Sequence, residues 1–186
     1  MKKIVMCLIM GIVLIGCYSS DDYYDRTVRL QVRDVITFTN DKEYQVGDTL
    51  RFEVAFSRYL NEDGFSSPLD VFETTGAEAF SYGFDLYQYS DFSKRFEPIF
   101  LDPELVIGSK GEGSYYFGNG VVAELNETRD TYVSEVGVVL VESGTFQLDF
   151  DFLYFTSPFN ENSVIVSIEY VRPSDGTLDL EFSVVE

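Results

Sequence analysis

The sequence predicts an all-β chain folded as an antiparallel β-sandwich. Three observations carry this expectation. Apolar and polar residues alternate in run after run, the period of two that puts one set of side chains on one face of a strand. Gly, Asn, Asp and Pro gather between the runs, where the backbone must turn. No window of eleven residues shows the 3.6-residue period of an amphipathic helix. Many short strands separated by turn signals favour two packed sheets over any helical architecture.

The elements follow in order. Thr27 to Val32 alternates, with Val28, Leu30 and Val32 on one face, and Val35 to Phe38 continues it after a break. Asn40-Asp41-Lys42 is a turn signal. Tyr44 to Phe56 reads as the clearest strand, with Leu50, Phe52, Val54 and Phe56 facing one way and Arg51 and Glu53 the other. Asn61-Glu62-Asp63-Gly64 closes a turn. Phe80, Tyr82, Phe84 and Leu86 alternate with Ser81, Gly83 and Asp85, which predicts another strand. From Ser90 to Gly113, Pro98, Pro103 and several turn-like contexts predict loops with a short strand near Ile99 to Leu101. Tyr115 to Val122 is either a hairpin around Gly118-Asn119-Gly120 or one bulged strand. Val136 to Val141 suits a buried strand. After the Glu142-Ser143-Gly144 turn, Thr145 to Phe152 alternates cleanly. Val164 to Val171 follows, then Arg172-Pro173-Ser174-Asp175-Gly176 as a turn, and Leu178, Leu180, Phe182 and Val184 mark a closing strand.

The first residues read as an address. Lys2 and Lys3 precede an uncharged run from Ile4 to Gly16, shorter than the about 20 apolar residues a membrane-crossing helix needs. The pattern is that of a secretory signal peptide, although Leu14-Ile15-Gly16 fits the Ala-x-Ala-like pattern of ordinary cleavage poorly. Leu14-Ile15-Gly16-Cys17 resembles the lipobox of bacterial lipoproteins. The resemblance implies that residues 1–16 are removed and that Cys17 becomes a lipidated first residue. Two or more acyl chains make such attachment stable. Ser20, Asp21 and Asp22 resemble the export signal of Bacteroidota lipoproteins, which implies delivery to the outer face of the outer membrane. Residues 17–25 then read as an acidic tether and 26–186 as a single domain.

Composition bounds the partners. With 13 basic and 32 acidic side chains, a net charge of −19 repels nucleic acid and anionic headgroups. Cys7 falls in the leader and Cys17 carries lipid, so no disulfide is expected in the domain. The chain has no His, which leaves no ordinary ligand set for a transition metal and makes calcium the one plausible ion. No cofactor and no metal site are expected.

A second resemblance is to bacterial immunoglobulin-like modules. Val46-Gly47-Asp48-Thr49-Leu50 running into Phe52-Glu53-Val54 looks like their second strand, and Glu142-Ser143-Gly144-Thr145-Phe146-Gln147-Leu148 like their penultimate one. The resemblance implies an immunoglobulin-like antiparallel sandwich, with the long region from about Tyr59 to Gly113 as an irregular central insertion.

Candidate chemistry is thin. Without His or a free Cys, no Ser-His-Asp or Cys-His nucleophile can be assembled. A paired-carboxylate hydrolase stays formally open, but Asp149 and Asp151 fall on the polar face of a strand, where solvated carboxylates belong. Asn61-Glu62-Asp63-Gly64 and Ser174-Asp175-Gly176 are fragments of oxygen-rich loops that turn preferences already explain. Asn126-Glu127-Thr128 has the pattern of a glycosylation sequon, and Asp48-Thr49-Leu50 resembles the O-glycosylation pattern of Bacteroidota. Aromatics gather in Phe80, Tyr82, Phe84, Tyr87, Tyr89 and Phe92 and in Tyr115-Tyr116. If Phe80 to Leu86 line the core, Tyr87 and Tyr89 point outward, where a ring can stack on a sugar. The expected function is a non-enzymatic cell-surface binding module for a glycan or nutrient, held at the outer membrane through its lipid. A structural or adhesive subunit recognising another surface protein is the alternative.

Overall fold

The computed structural model describes residues 27–38, 42–108, 119–150, 153–158, 164–172 and 180–186. Cys17, Ser20, Asp21, Asp22, Asn40, Asp41, Tyr115, Tyr116, Asp151, Phe152, Ser174, Asp175, Gly176 and Leu178 lie outside the described residues.

The fold is all-β. In chain order the strands are β1 (Thr27–Val32), β2 (Ile36–Phe38), β3 (Glu43–Gln45), β4 (Thr49–Ser57), β5 (Tyr59–Leu60), β6 (Leu69–Asp70) and β7 (Ala79–Ser90). They continue as β8 (Arg95–Ile99), β9 (Val106–Ile107), β10 (Asn119–Leu125), β11 (Thr131–Val139), β12 (Gly144–Asp149), β13 (Tyr154–Thr156), β14 (Ile165–Tyr170) and β15 (Glu181–Val185). Thirteen of them join one curled, mixed sheet, and β5 pairs with β6 apart from it. Its main path runs β1-β14-β13-β7-β10-β11-β4-β2. A second layer branches at β7, whose later half pairs with β12 and β8 while β12 pairs with β15 and β15 with β3.

Alternation builds the core. Leu50, Phe52, Val54 and Phe56 of β4 are buried, as are Phe80, Tyr82, Phe84 and Leu86 of β7 and Phe146 and Leu148 of β12. The absence of Trp is offset by clustered Phe and Tyr rings in edge-to-face and stacked contact. Phe56 meets Phe80, Tyr132 and Phe155, with centroids 5.8, 5.1 and 4.7 Å away. The buried Tyr82 hydroxyl is bonded to Ser134 Oγ at 2.8 Å, and Tyr132 Oη donates to the Ala77 carbonyl at 2.7 Å. Burial removes both phenolate forms from reach and pushes the Tyr132 hydroxyl up to about 12.

Four expectations need correction. The run from Tyr44 to Phe56 is two strands, not one. Gly47 sits at φ +98, and the Asp48 carboxylate accepts the Gln45 N–H at 2.8 Å, closing a turn between β3 and β4. The two halves then join different partners, β3 with β15 and β4 with β11. The sheet is also mixed rather than antiparallel, since β1 runs parallel to β14 and β3 parallel to β15. Both parallel pairs join an early strand to a late one, which no hairpin can do. The short strand expected near Ile99 to Leu101 is β8, which ends at Ile99 and contains Pro98. Proline is tolerated there because, among the described residues, β8 is paired on β7 alone and needs no second N–H bond. Finally, the region from about Tyr59 to Gly113 is not a mere insertion: it supplies β7, at twelve residues the longest strand among the described residues and the branch point of the sheet.

One short helix, α1 (Val71–Thr75), escapes the sequence pattern because five residues cannot display a period. Asp70 caps it by accepting the Glu73 N–H. Arg58 forks onto the same carboxylate at 2.7 and 2.6 Å and holds its pKa below the usual carboxylate range. Phe72 lies between the guanidinium groups of Arg58 and Arg129, 4.9 and 4.5 Å from its centroid. Among the described residues no helix is long and apolar enough to cross a membrane.

Candidate ligand-binding face

Strand parity places the site. In β7 the buried residues are Phe80, Tyr82, Phe84 and Leu86, so Asp85, Tyr87 and Tyr89 lie on the opposite face. The neighbouring strands fix what stands beside them. Asp85 is opposite Asp149, and Tyr87 is opposite Gln147 on one side and Pro98 on the other. Tyr89 is opposite Phe96. Beyond β12, Gln147 is opposite Glu181 and Thr145 opposite Ser183. Glu43 then aligns with Ser183 across the outermost strand.

The resulting face has two parts. Toward the β7–β8 end it is aromatic and apolar: Tyr87, Tyr89, Phe96 and Pro98. Tyr89 meets Phe96 edge-to-face at 5.5 Å and 73°, which fixes both rings, and Tyr89 keeps 39% of its surface exposed. Toward β12 and β15 it is polar, with Gln147, Asp149, Thr145 and Glu181 following Asp85. Directly opposed side chains in such a ladder have Cβ atoms about 4.5–5.5 Å apart, so Asp85 and Asp149 confront each other. Partial burial and then the Asp149 charge hold the Asp85 carboxyl above the usual range. Chemically, the arrangement offers ring faces for stacking beside carboxylate and amide oxygens that accept hydrogen bonds from hydroxyl groups.

The sequence-predicted pair Tyr87 and Tyr89 is thus brought together with residues the sequence reading passed over: Asp85, Phe96, Pro98 and Gln147. Their own strands show the required parity, but the register that aligns them is a tertiary fact. Two of the loops weighed as alternatives, at Asn61–Gly64 and at Asn126–Thr128, hold structural roles. Phe65 N–H bonds the Glu62 carbonyl, closing the turn through Gly64. The Asn126 side chain accepts the Asp130 and Thr131 N–H groups and donates to Asp130. Among the described residues no three Asp, Glu, His or Cys side chains are grouped to hold a metal ion.

No family model and no curated protein matches the chain.

On the opposite side of β7–β8, Leu86, Ile99, Leu101 and Phe146, with Gln88 and Glu142, line a mostly apolar cleft of about 260 Å³. It is smaller than the roughly 300–1,000 Å³ usual for small-molecule sites. The outward face is the stronger candidate, because Tyr89 and Phe96 are set edge-to-face beside hydrogen-bonding side chains, whereas Tyr44, Phe52 and Phe146, which line other clefts, are buried core rings.

Proposed function

We propose that the chain is an outer-membrane surface lipoprotein whose domain is a non-enzymatic binding module for an extracellular glycan. The observation that carries the binding assignment is the outward stripe of Tyr87, Tyr89, Phe96 and Pro98 beside Gln147 and the Asp85–Asp149 pair. Sugar rings present apolar faces and hydroxyl rims, and this stripe matches both. The address rests on Leu14-Ile15-Gly16-Cys17 and on Ser20-Asp21-Asp22.

The finer fold assignment, an immunoglobulin-like sandwich, is supported by strand order. In chain order β4, β7, β10, β11, β12 and β15 take the places of the strands B to G. Pairing of β4 with β11 and β11 with β10 follows the B-E-D order, and pairing of β7 with β12 and β12 with β15 follows C-F-G. The strands that carry the sequence resemblance, β4 and β12, take the second and penultimate places. The chain departs from that plan in that β7 also pairs with β10 and β13, β1 runs parallel to β14, and β13 and β14 lie between β12 and β15 in the sequence.

Two measurements test the proposal. Cys17→Ala should move the protein from the detergent phase to the aqueous phase or leave it unprocessed, and unchanged partitioning rules out the lipid anchor. Tyr87→Ala/Tyr89→Ala should weaken binding to the best polysaccharide on a glycan array by about tenfold or more, as loss of aromatic anchors does. The same variant should lose no more than about 1.5 kcal/mol of stability, because both side chains lie on the outward face and the Tyr89–Phe96 ring contact is of that order. A large fall in melting temperature would instead make the tyrosines part of the core. A stable variant, with no polysaccharide bound by the wild type, favours recognition of another surface protein. Among the described residues β1, at the end of the sheet path, pairs on one side only and offers an edge for that role.

A further inference from the structure

We propose that the face accepts neutral glycans and rejects acidic ones, a specificity set by its carboxylates. This deepens the glycan reading and rests on it. Among the described residues, the outward positions of β3, β15, β12, β7 and β8 carry Glu43, Glu181, Asp149 and Asp85, and no Lys or Arg. Of the basic residues at the margins, Lys42 reaches the edge of the face at β15, and Lys94 and Arg95 are engaged elsewhere. Lys42 is bonded to the Glu181 carbonyl at 3.5 Å. Lys94 and Arg95, at the β7–β8 turn, pair with Asp91 and Glu97 at 3.1 and 3.7 Å.

The position of the carboxylates matters more than their number. Asp85 is two residues from Tyr87 on the same face, and Gln147, opposite Tyr87, is two residues from Asp149. A ring stacked on Tyr87 therefore sets its substituents against Asp85 and Asp149, within about 7 Å along the strand. Hydroxyl groups there donate to the carboxylates in charge-assisted hydrogen bonds. A uronic carboxylate or a sulfate there has no donor to offer and meets two negative charges. Charges about 4 Å apart repel by several-fold in binding even in bulk water, and by more at a half-buried site. A net charge of −19 adds a long-range barrier to the same class of ligand.

The test uses the full chain in detergent on an array that holds neutral polysaccharides, their uronic or sulfated counterparts, and polygalacturonate beside its carboxyl-reduced form. EDTA is present throughout, so that calcium bridging cannot mask repulsion. The expected result is binding to neutral members, with acidic counterparts weaker by about tenfold or more in 50 mM salt and the gap narrowing at 500 mM. Asp85→Asn/Asp149→Asn keeps the side-chain volume and an acceptor oxygen, and should narrow the gap from both sides: acidic ligands bind more tightly than to the wild type once the repulsion is gone, and neutral ones lose the charge assistance of their hydrogen bonds. Equal binding of neutral and acidic members by the wild type overturns the specificity while leaving the glycan reading intact. A gap that persists unchanged in the double variant and at high salt overturns the role of the carboxylates. No binding to any member overturns both the specificity and the glycan reading.

Discussion

Phe56→Ala is expected to cost about 3–5 kcal/mol of unfolding free energy, the range for truncating a buried aromatic. Phe56 is 3% exposed and touches three other rings from three other segments, Phe80, Tyr132 and Phe155. Its removal opens a cavity that no single neighbour can fill, because Phe80 and Phe155 are themselves pinned at 0% exposure. Urea melts of both proteins check this, with the slope unchanged and the midpoint shifted. Phe92→Ala is the control: Phe92 is 99% exposed at the β7–β8 turn and should shift stability by no more than about 0.5 kcal/mol. A Phe56→Ala cost below about 1 kcal/mol would remove this ring from the centre of the core.

Gly108→Ala is the second large effect, expected at about 2–4 kcal/mol from two sources that add. Gly108 lies at φ +137, and a Cβ there would stand 2.6 Å from the Glu135 carbonyl oxygen. That oxygen belongs to the backbone of β11, so it cannot swing away as a side chain would. The approach is close because β9 lies against β11 immediately before, Ile107 opposite Gly137. Gly64→Ala separates the two sources. Gly64 has φ +88 but nothing within 4 Å of its missing Cβ, so it reports backbone strain alone, about 1 kcal/mol. Equal costs at the two sites would show that the contact with Glu135 relaxes.

Most strands were legible because one face of each is buried and the other wet. Thr49–Ser57, Ala79–Ser90 and Gly144–Asp149 each alternate in the sequence as they do in burial. What could not be read was partnership. Nothing local in Glu43–Gln45 or Thr27–Val32 indicates that each lies parallel to a strand near the other end of the chain. Pro98 argued against a strand at β8, since a lost N–H is harmless only on an edge and edges are defined by the whole sheet. The site divides the same way. The outward parity of Tyr87 and Tyr89 was readable from Phe80 to Leu86, whereas the meeting of Asp85 with Asp149 depends on a register fixed across 64 positions.

The parallel pairing of β1 with β14 has a kinetic consequence. Gln31 and Glu169, bonded across that pair at 3.1 Å, are 138 positions apart in the chain. Closing such a distance requires a large loop entropy to be met before any contact rewards it, and topologies of this kind fold slowly. The first of the described strands to be synthesised waits for one of the last. Until then it has no partner on β14, and β3 waits likewise for β15. The domain therefore cannot complete its sheet ahead of its own final strands, and a partly made chain leaves β1 and β3 without their parallel partners.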